Sequence, residues 1–257
     1  MRRAGVAVVV LAVAAAWLLP LDGLATDLTD RFAAPSLAHP LGTDHLGRDV
    51  LARLVDGAWI SVGLTGVALA VCTVLGTAAG LFSGYAGGVA AGLVQRAVDV
   101  LVAIPAIVVG LVIAAVGGPG TGTLLLAVLV TGWSPFARLA HHLTVRERGR
   151  EYVEGAVAIG AGPVRIAVRH VLPNALRPLV AHACLRFANM LLSIAGLSFL
   201  GLGVQPPTAE WGVMLAEGRQ FMFLAPQLVL LPATAIVVAA TFVTVLGRRL
   251  ERRWGST

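Results

Sequence analysis

The sequence predicts an all-α, polytopic membrane protein with six transmembrane helices, and composition is the first observation that predicts it. Of the 257 residues, 58% are hydrophobic and only 12% are charged. A soluble domain carries about 25% charged residues. So few charges do not suffice for a water-exposed surface, and most of the surface should therefore face lipid.

The second observation is the length of the apolar runs, because a transmembrane helix needs about 20 predominantly apolar residues. The first run follows Arg2 and Arg3 and could be a cleaved signal peptide, but Leu24-Ala25-Thr26 is a poor small-x-small cleavage site. A retained span is therefore favoured. The six runs are 4–21, 59–82, 98–116, 122–140, 175–197 and 224–247.

The arginine distribution is the third observation, and it gives the spans a direction, since cytoplasmic loops are enriched in basic residues. With the N-terminus inside, the cytoplasmic segments hold 14 arginines and the external segments hold 4. Both termini are therefore predicted to be cytoplasmic. The predicted segments are a first span with an external segment (1–58), a five-helix core (59–247) with an internal loop (147–173) and an external loop (198–223), and a cytoplasmic tail (248–257).

All 19 lysine-plus-arginine positions are arginine. A Walker A phosphate loop needs its lysine on the nucleotide phosphates. The chain therefore does not bind ATP in that way, and if ATP drives its function, another chain hydrolyses it.

The internal loop predicts a helix–turn–helix at the cytoplasmic surface. Residues 147–159 can form an amphipathic helix, which the turn at 160–163 must end, because Gly permits a left-handed conformation and Pro lacks an N–H. A second short helix over 164–171 should end before Pro173. Such a unit can dock on a soluble partner and transmit its motion to the spans. The alternative is an interfacial helix whose arginines face lipid phosphates.

The same loop has Glu, Ala, Gly and Leu-Pro at a characteristic spacing, carried by Glu154, Ala156, Gly160, Leu172 and Pro173. It resembles the signature loop of bacterial ABC importer permeases, with Gly155 in place of the first alanine, which loosens the helix by up to about 1 kcal/mol. In that family the loop is a coupling helix that sits in a cleft of the ATPase subunit. The resemblance implies this role for 151–163, and the implied ATPase-coupling residues are Glu151, Tyr152, Glu154, Gly155, Ala156, Gly160, Ala161, Gly162, Leu172 and Pro173.

The external segments are similar to the peptide and nickel branch of this family, in a second-permease, C-type subunit. Two tracts follow the fifth span, Ser198 to Gly203 and Pro207 to Gly212. From the residues alone, 47–58 predicts a short amphipathic helix with its charges facing water or a docking protein, and Asp49 with Arg53 has the spacing of a helix ion pair. The external family motif consists of Leu41, Gly42, Thr43, Asp44, Gly47, Arg48 and Asp49.

The resemblance implies a type I ABC importer permease fold in the bacterial plasma (inner) membrane, and a transport function rather than an enzymatic one. The chain would form half of a pathway for di- or oligopeptides beside a homologous second permease. Two ATPase subunits would hold ATP and magnesium, and an extracytoplasmic substrate-binding protein would deliver the cargo. The chain itself would bind no cofactor and no nucleic acid.

The cargo stays open between peptides and nickel or a metal chelate. Peptide-importing members commonly carry an acidic residue where this chain has Ile194, and a longer charged stretch before the first span. The tract from Pro206 to Gln220 looks at least as close to the nickel-permease subunit.

Polar residues interrupt the fifth run. His182, Arg186, Asn189 and Ser193 are spaced to lie on one helix face, and ionisable groups inside a membrane are costly and mark functional sites. This face is predicted to line the translocation pathway or the subunit seam. In the alternative, Arg186 pairs with a carboxylate such as Asp99, or with a partner subunit, for assembly alone.

Other functions are disfavoured by the sequence. His141 and His142 with Glu147 could suggest a metal site, but adjacent helical side chains point about 100° apart, so no metal ligand is predicted. An intramembrane protease would need a nucleophile and a base. Ser134 precedes His141 by seven residues, yet the sequence contains no Gly-x-Ser-x-Gly. No filter-like loop indicates a channel.

Overall fold

The computed structural model describes residues 22–254, which are predominantly helical. Within this range the only β-type pairing is an isolated bridge between Thr43 and Asp49, so the predicted all-α class is confirmed. The helices are α1 (Val50–Ala86), α2 (Gly88–Ala103), α3 (Ala106–Gly117), α4 (Thr121–Gly132), α5 (Ser134–Arg148), α6 (Glu151–Ala158), α7 (Pro163–Phe199), α8 (Trp211–Gly218) and α9 (Gln227–Trp254).

Four helical stretches in the described range are long and apolar enough to cross a membrane. They are α1, α4 together with α5, α7 and α9, and they contain the predicted runs at 59–82, 122–140 and 175–197 and most of that at 224–247. Helices α2 and α3 make a fifth span if the bent pair counts as one. The predicted run 4–21 lies outside the described residues, so five of the six predicted spans have a counterpart here.

The run 98–116 is not the straight span that its composition predicts. Helices α2 and α3 meet at a bend of 89°. Ile104 is extended there, with φ −93° and ψ 125°, because Pro105 disfavours the helical conformation of the residue before it. Apolar composition identifies this segment as a membrane segment but does not give its path.

The predicted separate amphipathic helix over 47–58 is wrong. Helix α1 begins at Val50 and continues without a break to Ala86. Asp49 caps it, since its Oδ1 accepts a hydrogen bond of 2.7 Å from the amide of Ala52. The amphipathic stretch is therefore the first part of a long helix.

The predicted end of a short helix before Pro173 is also wrong, since α7 runs from Pro163 through Pro173 to Phe199. A π-helical turn over Ala167–Val171 ends two residues before the proline. A proline ring clashes with the carbonyl four residues earlier in an α-helix, and the wider π turn provides a register that accommodates it. The sequence predicts a helix end at Pro173 only if the helix keeps the α register throughout.

The chain divides into two compact units. In the described range, the first comprises 22–65, Ile113–Leu124 and Leu191–Phe242. The second comprises Gly66–Val112, Leu125–Met190 and 243–254. The first contains the predicted external motifs, and the second contains α6 and the glycine positions at which α1 meets α5.

Candidate functional site

Helix α6, in the second unit, is a short helix with one buried edge. Val153 and Ala156 are buried, whereas Glu154, Gly155 and Val157 are exposed. The buried residues are three apart, which places them on one face of a helix. The opposite face is open to a partner.

An apolar cluster fixes the loop to the neighbouring helices. Val153, Ile166 and Val171 form its buried centre. Leu81 and Tyr85 from α1 pack against it, together with Ala161. The loop is therefore held by apolar burial on both α1 and α7, so a force applied to α6 reaches both helices.

Gly160 ends α6 as the sequence predicts. Its φ is +84°, its N–H donates to Val157, and the N–H of Ala161 donates to Ala156 at 3.0 Å. This is the Schellman arrangement, which requires a left-handed residue. Gly162 then leads in extended conformation into Pro163 at the start of α7.

The exposed side of the loop combines acidic and apolar groups. The side chains of Glu151 and Glu154 make no hydrogen bond or ion pair within residues 22–254. Large apolar side chains lie beside them, with Ile159 87% exposed and Val157 and Val164 also exposed. Helix α6 itself carries no basic residue. Acidic groups do not suit anionic headgroups, which favours a protein partner for α6. The exposed arginines of the loop, Arg165 and Arg169, lie in α7.

Tyr152, predicted to contact an ATPase, bonds within the chain. Its hydroxyl donates to Glu147 Oε2 at 3.0 Å and accepts from Asn174 Nδ2 at 3.0 Å. Burial and the neighbouring Glu147 carboxylate raise the pKa of Tyr152, so the phenol stays protonated and remains a donor. Of the other predicted coupling residues, Leu172 is half-buried and Pro173 is exposed.

A cleft of about 750 Å³ lies beside these residues in the second unit. Pro173, Tyr152 and Asn174 contribute to its lining. Both signs of charge are present, from Arg146, Glu147, Arg150, Arg177 and Glu251. Such a lining suits a ligand that carries both charges, or a partner surface that does.

His182 reaches the same cleft from α7. Its ring packs edge-on to Phe136 at 5.3 Å between centroids. His182 Nε2 and Arg186 Nε are buried and have no hydrogen-bond partner among the described residues. Asn189 and Ser193, the other members of the predicted pathway face, also lie in α7.

The proposed pairing of Arg186 with Asp99 does not occur. Asp99 Oδ1 instead accepts a hydrogen bond of 2.7 Å from Arg138 Nη2, and both side chains are well exposed. Asp99 therefore forms a local charge pair with Arg138.

The histidine pair is not arranged around a common point. His141 Nδ1 lies 2.9 Å from Ser83 Oγ, and the rings of His141 and His142 are 5.6 Å apart at 77°. Glu147 bonds to Tyr152. Across residues 22–254, no three His, Cys, Asp or Glu side chains are grouped to hold a metal ion.

The first external motif, in the first unit, forms a buried charge cluster. Arg48 Nε donates to Asp44 at 2.7 Å, and Glu217 accepts from both Arg48 Nη2 at 3.2 Å and Arg53 Nη2 at 2.5 Å. The side chains of Arg48 and Arg53 are each only 2% exposed. The prediction that these charges face water or a docking protein is therefore wrong, because α8 supplies a carboxylate that covers them.

Asp49 and Arg53 do not form the predicted helix pair. Asp49 Oδ2 lies 2.9 Å from His39 Nδ1, and Arg53 bonds to Glu217 instead. Gly42 and Gly47 have φ of +75° and +74°, which L side chains rarely adopt. Most motif residues, Thr43 among them, are buried, and Leu41 is half-buried, so the motif builds a compact turn.

The tract after the fifth span positions α8. Glu210, fully buried, accepts from Ser61 Oγ at 2.9 Å and from the amide of Val213 at 3.1 Å. Trp211 Nε1 donates to the Leu54 carbonyl at 3.0 Å. Glu210 and Trp211 lie in the tract from Pro207 to Gly212 that the sequence singles out. The sequence does not indicate Ser61 or Glu217 as part of the site, because their partners lie about 150 or more residues away.

Comparison with known proteins gives one family and several relatives. The family model described as "Binding-protein-dependent transport system inner membrane component" matches residues 76–256. The nickel transport system permease protein NikC of Escherichia coli (strain K12) is 34% identical over 241 residues, covering 94% of this chain and 87% of NikC. The glutathione transport system permease protein GsiD of Escherichia coli O6:K15:H31 (strain 536 / UPEC) is 37% identical over 244 residues, covering 95% and 80%.

Solved structures give the same fold. A chain of the MetNI methionine ABC transporter in inward-facing conformations aligns with a TM-score of 0.65 and 20% identity, over 79% of this chain and 96% of that one. A chain from an amino acid ABC transporter with histidines aligns with a TM-score of 0.59 and 17% identity, over 78% and 94%.

Proposed function

Since the chain belongs to the family of binding-protein-dependent transport system inner membrane components, we propose that its internal loop, residues 147–173, docks on a separate ATPase subunit and moves with it. The chain is a multi-pass membrane protein with the predicted ABC importer permease fold. It is a permease subunit of an ABC importer and not an enzyme. The family implies ATPase subunits, a substrate-binding protein and a second permease as partners.

The assembly we propose is a heterodimer of this chain with a homologous permease, together with two ATPase subunits that hold ATP and magnesium. Both termini of the chain lie in the cytoplasm. ATP binding closes the ATPases and draws the two docked loops together, which opens the pathway toward the binding protein. Hydrolysis reverses this movement.

The observation that carries the proposal is the exposed face of α6. It presents carboxylates that have no partner among the described residues, next to exposed apolar side chains, while its other edge is fixed to α1 and α7 through the Val153 cluster. A surface that is apolar with a few charges is typical of a protein interface. Its anchoring permits a docked partner to move the membrane helices.

Replacing Glu154 by Arg is expected to weaken ATPase binding by about tenfold or more, because the substitution reverses a charge at the docking face and leaves the fold intact. Co-purification of ATPase subunits from native membranes measures the effect. Gly155→Cys supplies a position for cross-linking, since a Cβ there meets no atom within 4 Å. If no ATPase is recovered with the unmodified chain, even after cross-linking at 155, the proposed function is wrong.

We further propose that the α7 face with His182, Arg186, Asn189 and Ser193 lines the pathway. His182 reaches the cleft, and Arg186 Nε is buried without a partner in the described part of the chain. Arg186→Leu is expected to lower cargo uptake while ATPase and permease subunits still co-purify. Loss of co-purification would instead assign Arg186 to assembly with a partner subunit.

For the cargo we propose di- or oligopeptides, with nickel or a metal chelate as the alternative. The glutathione permease and the nickel permease match this chain at similar identity. The cleft, lined by guanidinium and carboxylate groups, suits the two charged ends of a peptide. Uptake of labelled peptides compared with nickel chelates into cells that express the complete importer distinguishes the two.

A further inference from the structure

Tyr152 is placed differently from the other polar residues of α6. The carboxylates of Glu151 and Glu154 make no intramolecular bond within residues 22–254, whereas the Tyr152 hydroxyl makes two. One bond reaches Glu147 near the end of α5, and the other reaches Asn174 in α7. The hydroxyl therefore connects α5 to α7.

The Glu147 end of this connection is buried and charged. Its side chain is 7% exposed. Its Oε1 lies 3.3 Å from Arg146 Nη2 and 3.7 Å from Arg150 Nη2, and its Oε2 accepts from Tyr152. A hydrogen bond to a charged acceptor is stronger than one between neutral groups. The carboxylate thus holds Tyr152 and the start of α6 at the end of α5.

The Asn174 end joins the connection to the π turn of α7. Asn174 Nδ2 donates to Tyr152 Oη at 3.0 Å and to the His170 carbonyl at 2.8 Å. His170 belongs to the π-helical segment Ala167–Val171, and π turns inside α-helices are frequently found at functional sites. The side chain of Asn174 therefore links α6 to the π-helical part of α7.

We propose that Glu147, Tyr152 and Asn174 form a clasp that makes α6 move together with α5 and α7 when an ATPase moves. This inference rests on the proposed function and adds a positioning role to it. The apolar Val153 cluster keeps α6 folded and docked without the clasp. The hydrogen bonds fix its orientation, because they are directional and apolar contacts are not.

The test is Tyr152→Phe in the complete importer reconstituted into liposomes, with cargo uptake and ATP hydrolysis measured together. The ring and its packing remain, and both hydrogen bonds are lost. ATPase subunits are expected to co-purify as in the unmodified complex, while cargo transported per ATP falls about tenfold or more, because both hydrogen bonds are lost and one of them is to a charged group. Asn174→Ala removes the other end of the clasp and is expected to lower the same ratio.

Tyr85→Phe is the matched control. It removes the chain's other tyrosine hydroxyl, which donates to no acceptor in the described range, and leaves the ring on which Arg148 stacks at 4.6 Å. Its cargo-per-ATP ratio should be unchanged. An unchanged ratio in Tyr152→Phe overturns the clasp. Loss of ATPase co-purification in Tyr152→Phe but not in Asn174→Ala also overturns it, since Tyr152 would then contact the ATPase. Failure of the unmodified complex to bind ATPase would overturn the proposed function instead.

Discussion

Glu217→Ala is expected to destabilise the protein by about 3–5 kcal/mol, which is the cost of leaving a buried charge without its partner. Glu217 Oε2 accepts from Arg53 at 2.5 Å and from Arg48 at 3.2 Å. After its removal, Asp44 is the only carboxylate of the cluster that faces two guanidinium groups, at 2.7 Å from Arg48 and 3.7 Å from Arg53. Both arginine side chains are almost fully buried, so their charges are poorly solvated once the carboxylate is lost.

Thermal unfolding of the purified chain in detergent measures this effect. Asp99→Ala is the matched control, because Asp99 accepts an arginine hydrogen bond of the same length as Asp44 does, 2.7 Å, but is 67% exposed. An exposed pair contributes about 0–1 kcal/mol. If Glu217→Ala and Asp99→Ala lose the same amount of stability, burial does not determine the destabilisation.

A double variant separates buried charge from lost packing. Replacing Arg53 and Glu217 together by Leu removes one charge of each sign and leaves Arg48 with Asp44. Exchanging a buried ion pair for apolar residues is often nearly neutral. The double variant is therefore expected to be more stable than Glu217→Ala. If it is less stable, the cost arises from packing around Glu217 and not from the unpaired charge.

The burial of Arg48 and Arg53 illustrates what the sequence does not reveal. Local spacing relates Arg53 to Asp49, four residues away, whereas the observed partner Glu217 is 164 residues away. Sequence periodicity indicates neighbours on one helix face and does not indicate a contact between residues so far apart in the chain. The same reason explains why Ser61 as the partner of Glu210 was missed.

Features that depend on neighbouring residues were predicted well. Apolar runs of about 20 residues locate α1, α7 and α9, because the cost of exposing backbone groups to lipid requires helices there. Gly160 was identified as the end of α6 since the turn needs a left-handed residue. The sequence does not predict that α7 continues through Pro173, because it does not reveal the π turn that accommodates the proline.

For the candidate site, the docking role of the segment stays a prediction from the sequence, and the sequence does not indicate the direction of each side chain. Glu154 is exposed as a docking residue should be, whereas the Tyr152 hydroxyl bonds within the chain to Asn174, 22 residues later. That bond requires α6 to fold back beside the start of α7. Only the turn at Gly160 and the burial of Val153 and Ile166 bring these positions together.

Gly80→Val is expected to destabilise the protein by about 3 kcal/mol or more, the upper end of the cost of overpacking. A Cβ at Gly80 would meet the Ala137 carbonyl, would lie 2.5 Å from the Ala140 Cβ and would lie 2.8 Å from the His141 amide nitrogen. Two of these three atoms are backbone, so a rotamer change does not relieve the clash. Helix α1 and helix α5 would have to separate.

Gly76 and Gly84, one turn before and after Gly80, show that the contact extends along both helices. A Cβ at Gly76 would meet the Trp133 carbonyl, and one at Gly84 would lie 2.6 Å from the Thr144 Cβ. Small residues at every fourth position allow membrane helices to approach closely. Separation of the helices at Gly80 would therefore disturb packing at all three turns, which is why the expected cost exceeds that of one methyl group.

Gly66→Val is the control in the same helix, because a Cβ there meets no heavy atom within 4 Å. Its effect should stay within about 0.5 kcal/mol, as for a surface substitution. Thermal unfolding of the purified chain in detergent compares the two variants. Both place a valine in α1, so only the surroundings of the valine differ. If Gly80→Val unfolds at the same temperature as Gly66→Val, then α1 and α5 do not contact each other through these glycines.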